Sequence, residues 1–141
     1  MRYAYPVDVL VAGDGVTVTC PDIPELVTEG RTRAEALERA ADALVTALSL
    51  YVEDGRALPH PSPARGRSIV SVSILEAAKL ALHDAMSACG ISNVELGRTL
   101  MLDEKAVRRL RDPLHRSHIG TVEAALRILG KRVEIDISEV A

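Results

Sequence analysis

The spacing of apolar residues in this chain changes near residue 32, from every second position to every third or fourth position. Before that point, two alternating runs are joined at Gly13-Asp14-Gly15; their apolar members are Tyr3, Tyr5, Val7, Val9 and Val11, then Val16, Val18 and Cys20. Alternation of this kind predicts strands with one buried face, and the short run from Leu26 to Glu29 predicts a third strand. The change of period therefore predicts a sheet followed by helices, which is an α+β fold.

A long helix is predicted to begin at Thr32, because Thr32 and Glu35 have the spacing of a capping box. Its apolar stripe would cover the sheet and consists of Leu37, Ala40, Ala41, Leu44, Leu48 and Tyr51. Residues 59–66 contain three prolines and predict a connector. Val70, Val72 and Ile74 then alternate with serines, which predicts a fourth strand and the order β-β-β-α-β. We therefore place a domain boundary near residue 74, between a domain of residues 1–74 and one of residues 75–141.

Helical spacing returns in the second domain. One helix is predicted to end at Gly90, with an inner stripe of Leu75, Ala78, Leu82, Ala85, Met86 and Cys89, and three shorter helical patterns follow it. Residues 132–138 then alternate, which predicts a C-terminal strand with one apolar face made of Val133, Ile135 and Ile137. A strand without a local partner must pair elsewhere. We expect it to pair with the same strand of a second chain and form a homodimer or higher oligomer; the alternative is that it joins the N-terminal sheet.

Composition and charge limit both the cores and the partners. The chain has no Phe or Trp and three Tyr, so the cores must be aliphatic, and stacking of bases on aromatic rings is not expected. Residues 1–62 carry five basic and ten acidic residues, whereas residues 63–141 carry twelve basic and ten acidic residues. A basic surface attracts phosphate and an acidic one attracts a basic protein, although solubility alone also accounts for charges of this size.

Several classes of function are not expected. No apolar run approaches the ~20 residues needed to span a bilayer, and no signal peptide is evident, so a cytoplasmic protein is expected. Cys20 and Cys89 lack partners at metal-ligand spacing, which favours two buried free thiols over a disulfide. The histidines are scattered and the acidic residues of the strand region show no sign of converging on metal ions. We therefore expect no cofactor, no metal site and no enzymatic activity.

The stretch from Ser92 to Gly130 carries the most functional information. Ser92 and Glu95 form a second capping box, and after a turn at Met101-Leu102 a further helix can begin at Asp103. That helix directs Val107 and Leu110 inward and four polar residues outward, namely Lys105, Arg108, Arg109 and Asp112, until Pro113 stops it. Two short helices in this arrangement fit the second one into the major groove of DNA.

Basic residues are concentrated around the second short helix, since residues 98–116 hold six basic and three acidic residues. An arginine can bond guanine O6 and N7 together, and lysine or arginine can neutralise phosphates. The candidate DNA contacts are Arg98, Lys105, Arg108, Arg109 and Arg116; the alternative is a solvated helix face. His115, Arg116 and His118 lie in the following loop and would contact either phosphate or water.

Two segments resemble known families. The run SNVELGRTLMLDEKAVRRLRDPLHRSHIGTVEAALRILGKRVEI resembles the phage-repressor class of helix-turn-helix. The N-terminal run YAYPVDVLVAGDGVTVTCPDIPELVTEGRTRAEALERAADALVTALSLYVEDGRALPHPSP is similar to the HicB antitoxin domain, with its PDIPE bend, its TEG strand end and its Pro-rich exit after EDG. Met101 departs from the repressor pattern, which commonly has Gly at this turn, and a non-Gly residue with positive φ is uncommon.

The resemblance implies a fold, an activity and partners. It implies a partial ribonuclease-H-like fold without catalysis, which binds and neutralises a small mRNA-cleaving toxin of HicA type with a double-stranded-RNA-binding fold. It also implies that a dimer binds operator DNA and represses the toxin–antitoxin operon. The alternative function is a stand-alone helix-turn-helix transcriptional regulator whose N-terminal domain senses a small ligand. The residues that contact the toxin are not indicated by the sequence.

Overall fold

The alternating N-terminal runs form an antiparallel sheet in the computed structural model, which describes residues 2–139. Its strands are β1 (Ala4–Ala12), β2 (Gly15–Cys20), β3 (Ile23–Gly30) and β4 (Ser68–Ser71), in the spatial order β3-β2-β1-β4. The helices are α1 (Arg33–Glu53), α2 (Ile74–Cys89), α3 (Asn93–Leu100), α4 (Glu104–Arg111) and α5 (Ile119–Ile128). The α+β class is therefore confirmed. Residues 1, 140 and 141, at the outer ends of the two predicted domains, lie outside the described residues.

Helix α1 covers one face of the sheet. It begins as predicted, because the Thr32 hydroxyl accepts a hydrogen bond of 3.1 Å from the Glu35 main-chain N–H. Leu44 and Leu48 of its stripe are completely buried. No helix within residues 2–139 lies on the opposite face of the sheet, and the large aliphatic side chains of that face are about half exposed or more: Leu10 (64%), Val27 (63%) and Ile69 (49%).

The last strand of the sheet is shorter than the alternation predicted. β4 ends at Ser71, and Ser73 caps α2 instead of continuing the strand. Both bonds of a capping box are present, since the Ser73 hydroxyl accepts from the Glu76 N–H at 3.3 Å and the Glu76 carboxylate accepts from the Ser73 N–H at 2.7 Å. The prediction of a strand through Val72 and Ile74 is therefore wrong, because satisfying the first N–H groups of a helix competes with extending the strand.

Helix α2 contributes to two separate cores. Leu80 is fully buried with the sheet and α1, whereas Leu82 and Met86 are buried against α3, α4 and α5. We call β1–β4 with α1 the sheet unit and α3–α5 the helical unit; α2 lies between them. The sheet core therefore uses a side chain from beyond residue 74.

The Pro-rich connector is held against the sheet unit. The Tyr5 hydroxyl donates to the Pro59 carbonyl oxygen at 2.8 Å. The main-chain N–H and the hydroxyl of Ser62 both donate to the Asp22 carboxylate, each at 2.9 Å. The segment lacks regular secondary structure, as its prolines predicted, but these bonds fix its path.

Two further predictions are wrong in part. Cys20 and Cys89 are free, as expected, but only Cys20 is buried, whereas Cys89, the last residue of α2, is exposed. Residues 132–138 form no strand within the described part of this chain and do not join the sheet, so that alternative is wrong, while pairing with a second chain stays a prediction. A strand needs a neighbouring strand to satisfy its main-chain groups, and the single chain provides none for this segment.

Candidate nucleic-acid interface

Helices α3 and α4 are joined by a turn with left-handed main-chain geometry. Met101, at the end of α3, has φ 59° and ψ 41°, and its side chain is 91% exposed. The Leu102 N–H donates to the Gly97 carbonyl oxygen at 2.8 Å and closes the turn. Met101 therefore adopts a positive φ, which glycine would adopt at lower cost, and the turn still forms.

The two helices approach each other closely at Gly97. A Cβ atom placed on Gly97 would lie 2.5 Å from the Leu102 carbonyl oxygen, a distance that real side chains essentially never show. The next helix begins at Asp103, whose carboxylate accepts from the Ala106 N–H at 2.7 Å. Glycine is therefore required at 97, a role that sequence analysis missed because Gly97 lies inside a helical pattern.

Helix α4 has one buried face and one basic exposed face. Val107 and Leu110 are buried in the core of the helical unit, as predicted. The exposed face carries Lys105, Arg108 and Arg109, also as predicted. Arg108 pairs with Glu104 at 2.8 Å, but its side chain is 70% exposed, and ion pairs between exposed residues contribute little. Arg108 therefore stays available to a ligand.

The other candidate contacts lie on neighbouring elements. Arg98 lies in the last turn of α3, and Arg116 lies in the loop after α4; both are exposed. In the described part of the chain, Arg98, Lys105, Arg109 and Arg116 form no salt bridge. Their positive charges are thus not neutralised within residues 2–139.

The two loop histidines have structural contacts. The ring Nδ1 of His118 accepts from the Gly120 N–H at 3.2 Å and caps α5. The ring of His115 lies 3.5 Å from the Ser117 hydroxyl. His118 therefore serves the start of α5, a role that the sequence analysis did not consider.

A buried lysine of α2 contacts the end of α4. The side chain of Lys79 is fully buried, and its Nζ lies within hydrogen-bond distance of the carbonyl oxygens of Arg109 (2.9 Å), Asp112 (3.0 Å) and His115 (2.5 Å) and of the Ser117 hydroxyl (2.7 Å). Its three N–H groups are thus shared among four acceptors. Burial lowers the pKa of the Lys79 ammonium, and the nearby Asp112 carboxylate opposes that shift. The ammonium thus gathers four oxygen acceptors from α4 and the loop that follows it.

A buried histidine on the next turn of α2 contacts both units. His83 Nδ1 lies 2.7 Å from the Arg111 guanidinium, and its Nε2 lies 2.9 Å from the Arg56 carbonyl oxygen. Arginine only donates, so Nδ1 is the acceptor and Nε2 carries the hydrogen. Arg111 also donates to the Asn93 side-chain oxygen at 2.8 Å, while burial lowers the pKa of its guanidinium. These contacts connect α4 to α3, to α2 and to the segment that follows α1.

The predicted dimer residues occupy different environments. Val133 packs partly against the core of the helical unit, whereas Ile135 is 60% exposed and Ile137 is 90% exposed. Val133 and Ile135 line one side of an open groove of about 630 Å³, whose other side includes Val72 and Ala77. The structure therefore leaves two of the three apolar side chains largely in solvent.

Two other kinds of site are absent from the part of the chain that the structure describes. Within residues 2–139, no group of three or more His, Cys, Asp or Glu side chains is arranged to hold a metal ion. No helix in that range combines the length and apolar content that crossing a bilayer requires.

Comparison with known proteins gives consistent matches. The HicB-like antitoxin family of bacterial toxin–antitoxin systems matches residues 4–81. Antitoxin HicB 2 of Photorhabdus laumondii is 42% identical over 131 residues, which is 93% of this chain and 94% of that protein. Antitoxin HicB of Pseudomonas fluorescens is 37% identical, covering 97% of this chain and 95% of that protein. Antitoxin HicB of Escherichia coli K12 is 36% identical, covering 93% and 96%.

Proposed function

The chain belongs to the HicB-like antitoxin family of bacterial toxin–antitoxin systems, and from this premise we propose a function for each unit. The sheet unit, with a partial ribonuclease-H-like fold, binds and neutralises a small mRNA-cleaving toxin of HicA type. The helical unit carries a helix-turn-helix formed by α3 and α4, binds operator DNA as a homodimer and represses the toxin–antitoxin operon. The relatives do not favour a stand-alone ligand-sensing regulator, since the name antitoxin is attached to proteins matched over almost their entire length.

The observation that carries the DNA-binding proposal is the division of α4 into two faces. Val107 and Leu110 fix one face in the core, so the opposite face must present Lys105, Arg108 and Arg109 to solvent. A helix of this kind enters the major groove with its exposed side chains toward the bases. Arg98 and Arg116 flank it as phosphate contacts.

The DNA-binding proposal is tested by the double substitution Arg108→Ala and Arg109→Ala. We expect it to weaken binding to the DNA upstream of the operon by about 1–3 kcal/mol for each arginine that reads a base. Arg127→Ala is the matched control, because Arg127 forms the same kind of exposed pair, with Glu123 at 2.8 Å, on α5. Wild-type affinity in the double variant, measured by titration of labelled duplex, would contradict the assignment of α4.

The toxin-binding proposal rests on the family, and the open face of the sheet is where we place the contact. This face combines the exposed aliphatic side chains Leu10, Val27 and Ile69 with the carboxylates of Glu29 and of Asp8, which lies 3.7 Å from the Arg67 guanidinium. An exposed apolar patch suits a protein partner, and the acidic balance of residues 1–62 would speed the encounter with a basic one.

Two adjacent residues of β1 test this placement. Leu10 lies on the open face and is 64% exposed, while Val11 lies on the opposite face and is 68% exposed. We expect Leu10→Asp to reduce rescue of cells that express the toxin and Val11→Asp to preserve it. Equal rescue by both variants would move the toxin contact away from the open face.

The dimer proposal concerns residues 132–138. Ile135 and Ile137 are exposed in the single chain. Pairing with the same segment of a second copy would bury these side chains and satisfy the main-chain hydrogen bonds of both segments. A two-fold axis at this point would present two α4 helices to successive major grooves about 34 Å apart. We expect Ile135→Asp with Ile137→Asp to give a folded monomer by sedimentation, with weakened DNA binding. A variant that stays dimeric at micromolar concentration would exclude this interface.

A further inference from the structure

The end of α4 has no glycine turn of the kind that often finishes a helix. The last carbonyl groups of any helix have no partner within the helix and are often covered by a following glycine turn. Here the residue after α4 is Asp112, with extended geometry at ψ 110°, and Pro113 follows it. The carbonyl oxygen of Arg109 accepts from Lys79 of α2, and that of Asp112 accepts both from Lys79 and from the His115 N–H, at 3.1 Å.

The position of this ammonium also suits the electrostatics of the helix. The C-terminal end of a helix carries a partial negative charge, which a cation stabilises most strongly where water is excluded. Burying the charge costs solvation, and only a full set of acceptors offsets that cost. Lys79 has such a set, because it also reaches the His115 carbonyl oxygen and the Ser117 hydroxyl.

The same four contacts fix the loop after α4 relative to α2. Residues 112–117 contribute three of the four acceptors, so the loop that carries Arg116 and the helix that carries Lys105 and Arg109 are both bonded to the Lys79 Nζ. α4 has eight residues, too few for a helix to be stable alone in water, so its orientation depends on such contacts.

We propose that Lys79 is the positioning residue of the DNA-binding surface: it does not touch DNA, and it holds α4 and the 112–117 loop in the arrangement that reads the operator. This inference rests on the proposed DNA-binding function. A residue that only stabilises the fold would affect specific and non-specific binding in proportion. A positioning residue affects mainly specific binding, because base contacts need a fixed helix whereas phosphate attraction needs only positive charge.

The test compares Lys79→Met with Val122→Ala in the full-length chain. Met has a similar length and no donor, so Lys79→Met removes the ammonium and leaves the space filled. Val122 is fully buried in the core of the helical unit, and its truncation destabilises that core without removing a contact to the end of α4. The probes are the duplex from upstream of the operon and a scrambled duplex of the same length and composition.

For Lys79→Met we expect operator affinity to fall at least about tenfold while affinity for scrambled duplex changes less than about threefold. We also expect amide hydrogen exchange within residues 110–118 to accelerate at least about tenfold, since those amides lose the contact that orders them. Val122→Ala should lower both affinities by the same factor and leave exchange in residues 110–118 in line with the rest of the helical unit. Equal losses on the two duplexes in Lys79→Met, or unchanged exchange, would overturn the proposal.

Two further outcomes are distinguishable. If the wild-type chain shows no preference for the operon duplex, the DNA-binding function fails, and the role of Lys79 as a positioning residue for DNA falls with it; the exchange data then report only whether Lys79 orders the loop. If Lys79→Met does not fold, Ser117→Ala replaces it, because it removes one acceptor and keeps the ammonium. We expect Ser117→Ala to show the same selective loss at smaller size, and an unchanged ratio of the two affinities would count against the proposal.

Discussion

The sheet unit and the helical unit achieve their stability by different means. In the sheet unit a helix of 21 residues lies on four strands, and the apolar side chains between them include all three tyrosines of the chain. In the helical unit the helices have 8, 8 and 10 residues, and each begins at a side chain that caps it, namely Ser92, Asp103 and His118. Helix α1 is also capped, by Thr32, but its 21 residues bury an apolar face on the sheet, whereas the short helices of the helical unit depend more on the polar contacts at their ends.

The largest effect should come from the apolar core of the sheet unit. Leu44→Ala removes a fully buried side chain, and we expect it to lower the free energy of unfolding by about 3 kcal/mol. Leu50→Ala, on the same helix but 46% exposed, is the control and should cost much less. Urea denaturation followed by circular dichroism measures both.

The same experiment tests whether the two units unfold together. Tyrosine emission reports the sheet unit, because all three tyrosines belong to its core and the chain has no Trp. Since α2 supplies Leu80 to one core and Leu82 to the other, we expect tyrosine emission and helical dichroism to give the same midpoint. Different midpoints would show that the units unfold independently.

The next effect concerns the close contact in the helical unit. Gly97→Ala would place a Cβ atom 2.5 Å from the Leu102 carbonyl oxygen, so α3 and the turn must separate. We expect a loss of about 2 kcal/mol in unfolding free energy, in the range of overpacked cores. Thr99→Ala, an exposed position of the same helix, should be neutral by the same measurement. A gain in stability for Gly97→Ala, as helix propensity alone predicts, would contradict the contact.

A smaller effect of opposite sign is expected at the turn between α3 and α4. Met101 has φ 59°, which costs an ordinary residue roughly 1 kcal/mol relative to glycine. Met101→Gly should therefore raise the melting temperature, and Met101→Ala, which keeps the unfavourable φ, should not. The side chain is 91% exposed, so little packing is lost. A lower melting temperature for Met101→Gly would mean that the Met side chain contributes more than its exposure suggests.

The smallest effect should appear as a pH dependence in the sheet unit. Hydrogen bonds from its own main-chain amide and from the Tyr51 hydroxyl hold the pKa of Glu25 below its ordinary value of 4.5. The ionised form is thus favoured by folding, so its contribution is present above the ordinary pKa and disappears as the pH falls through the lowered one. Glu25→Gln should flatten the acid limb of stability measured between neutral and acidic pH. An identical acid limb in the variant would show that other carboxyl groups account for it.

Local patterns in the sequence were sufficient to predict most elements of the fold. The caps at Thr32, Ser92 and Asp103 were predicted from the residue type and the spacing to the next acidic residue or turn, and all three accept the expected main-chain hydrogen bond. The cap at Ser73 was missed because Val70 to Ile74 also alternates, and two local signals then competed for one segment. The Ser73 and Glu76 spacing was the better guide, since it satisfies two helix donors at once.

The contacts between elements could not be predicted in the same way. Lys79 and His83 interrupt the apolar face of α2. A charged residue within an apolar stripe was the available signal that its side chain bonds to other buried polar groups. Its acceptors lie 30 to 38 residues further along the chain and are mostly main-chain oxygens, which residue type does not reveal. The basic face of α4 was predicted because the spacing of inner and outer positions can be read within one short helix. The contacts that hold α4 in place join residues far apart in the sequence, so the sequence pattern does not show them.

Because α2 contributes to both cores, it limits where the two units could be separated by domain recombination. A gene fusion that joined the sheet to a different C-terminal module at residue 74 would remove Leu80 from the first core, together with the carboxylate of Asp84 that accepts from the Tyr3 hydroxyl at 2.7 Å. The sheet is therefore expected to tolerate a change of module only if α2 stays attached, with the junction after Cys89, at Gly90. A replacement module must offer α2 a surface for Leu82 and Met86 and acceptors for Lys79, which limits the modules that can recombine with this antitoxin.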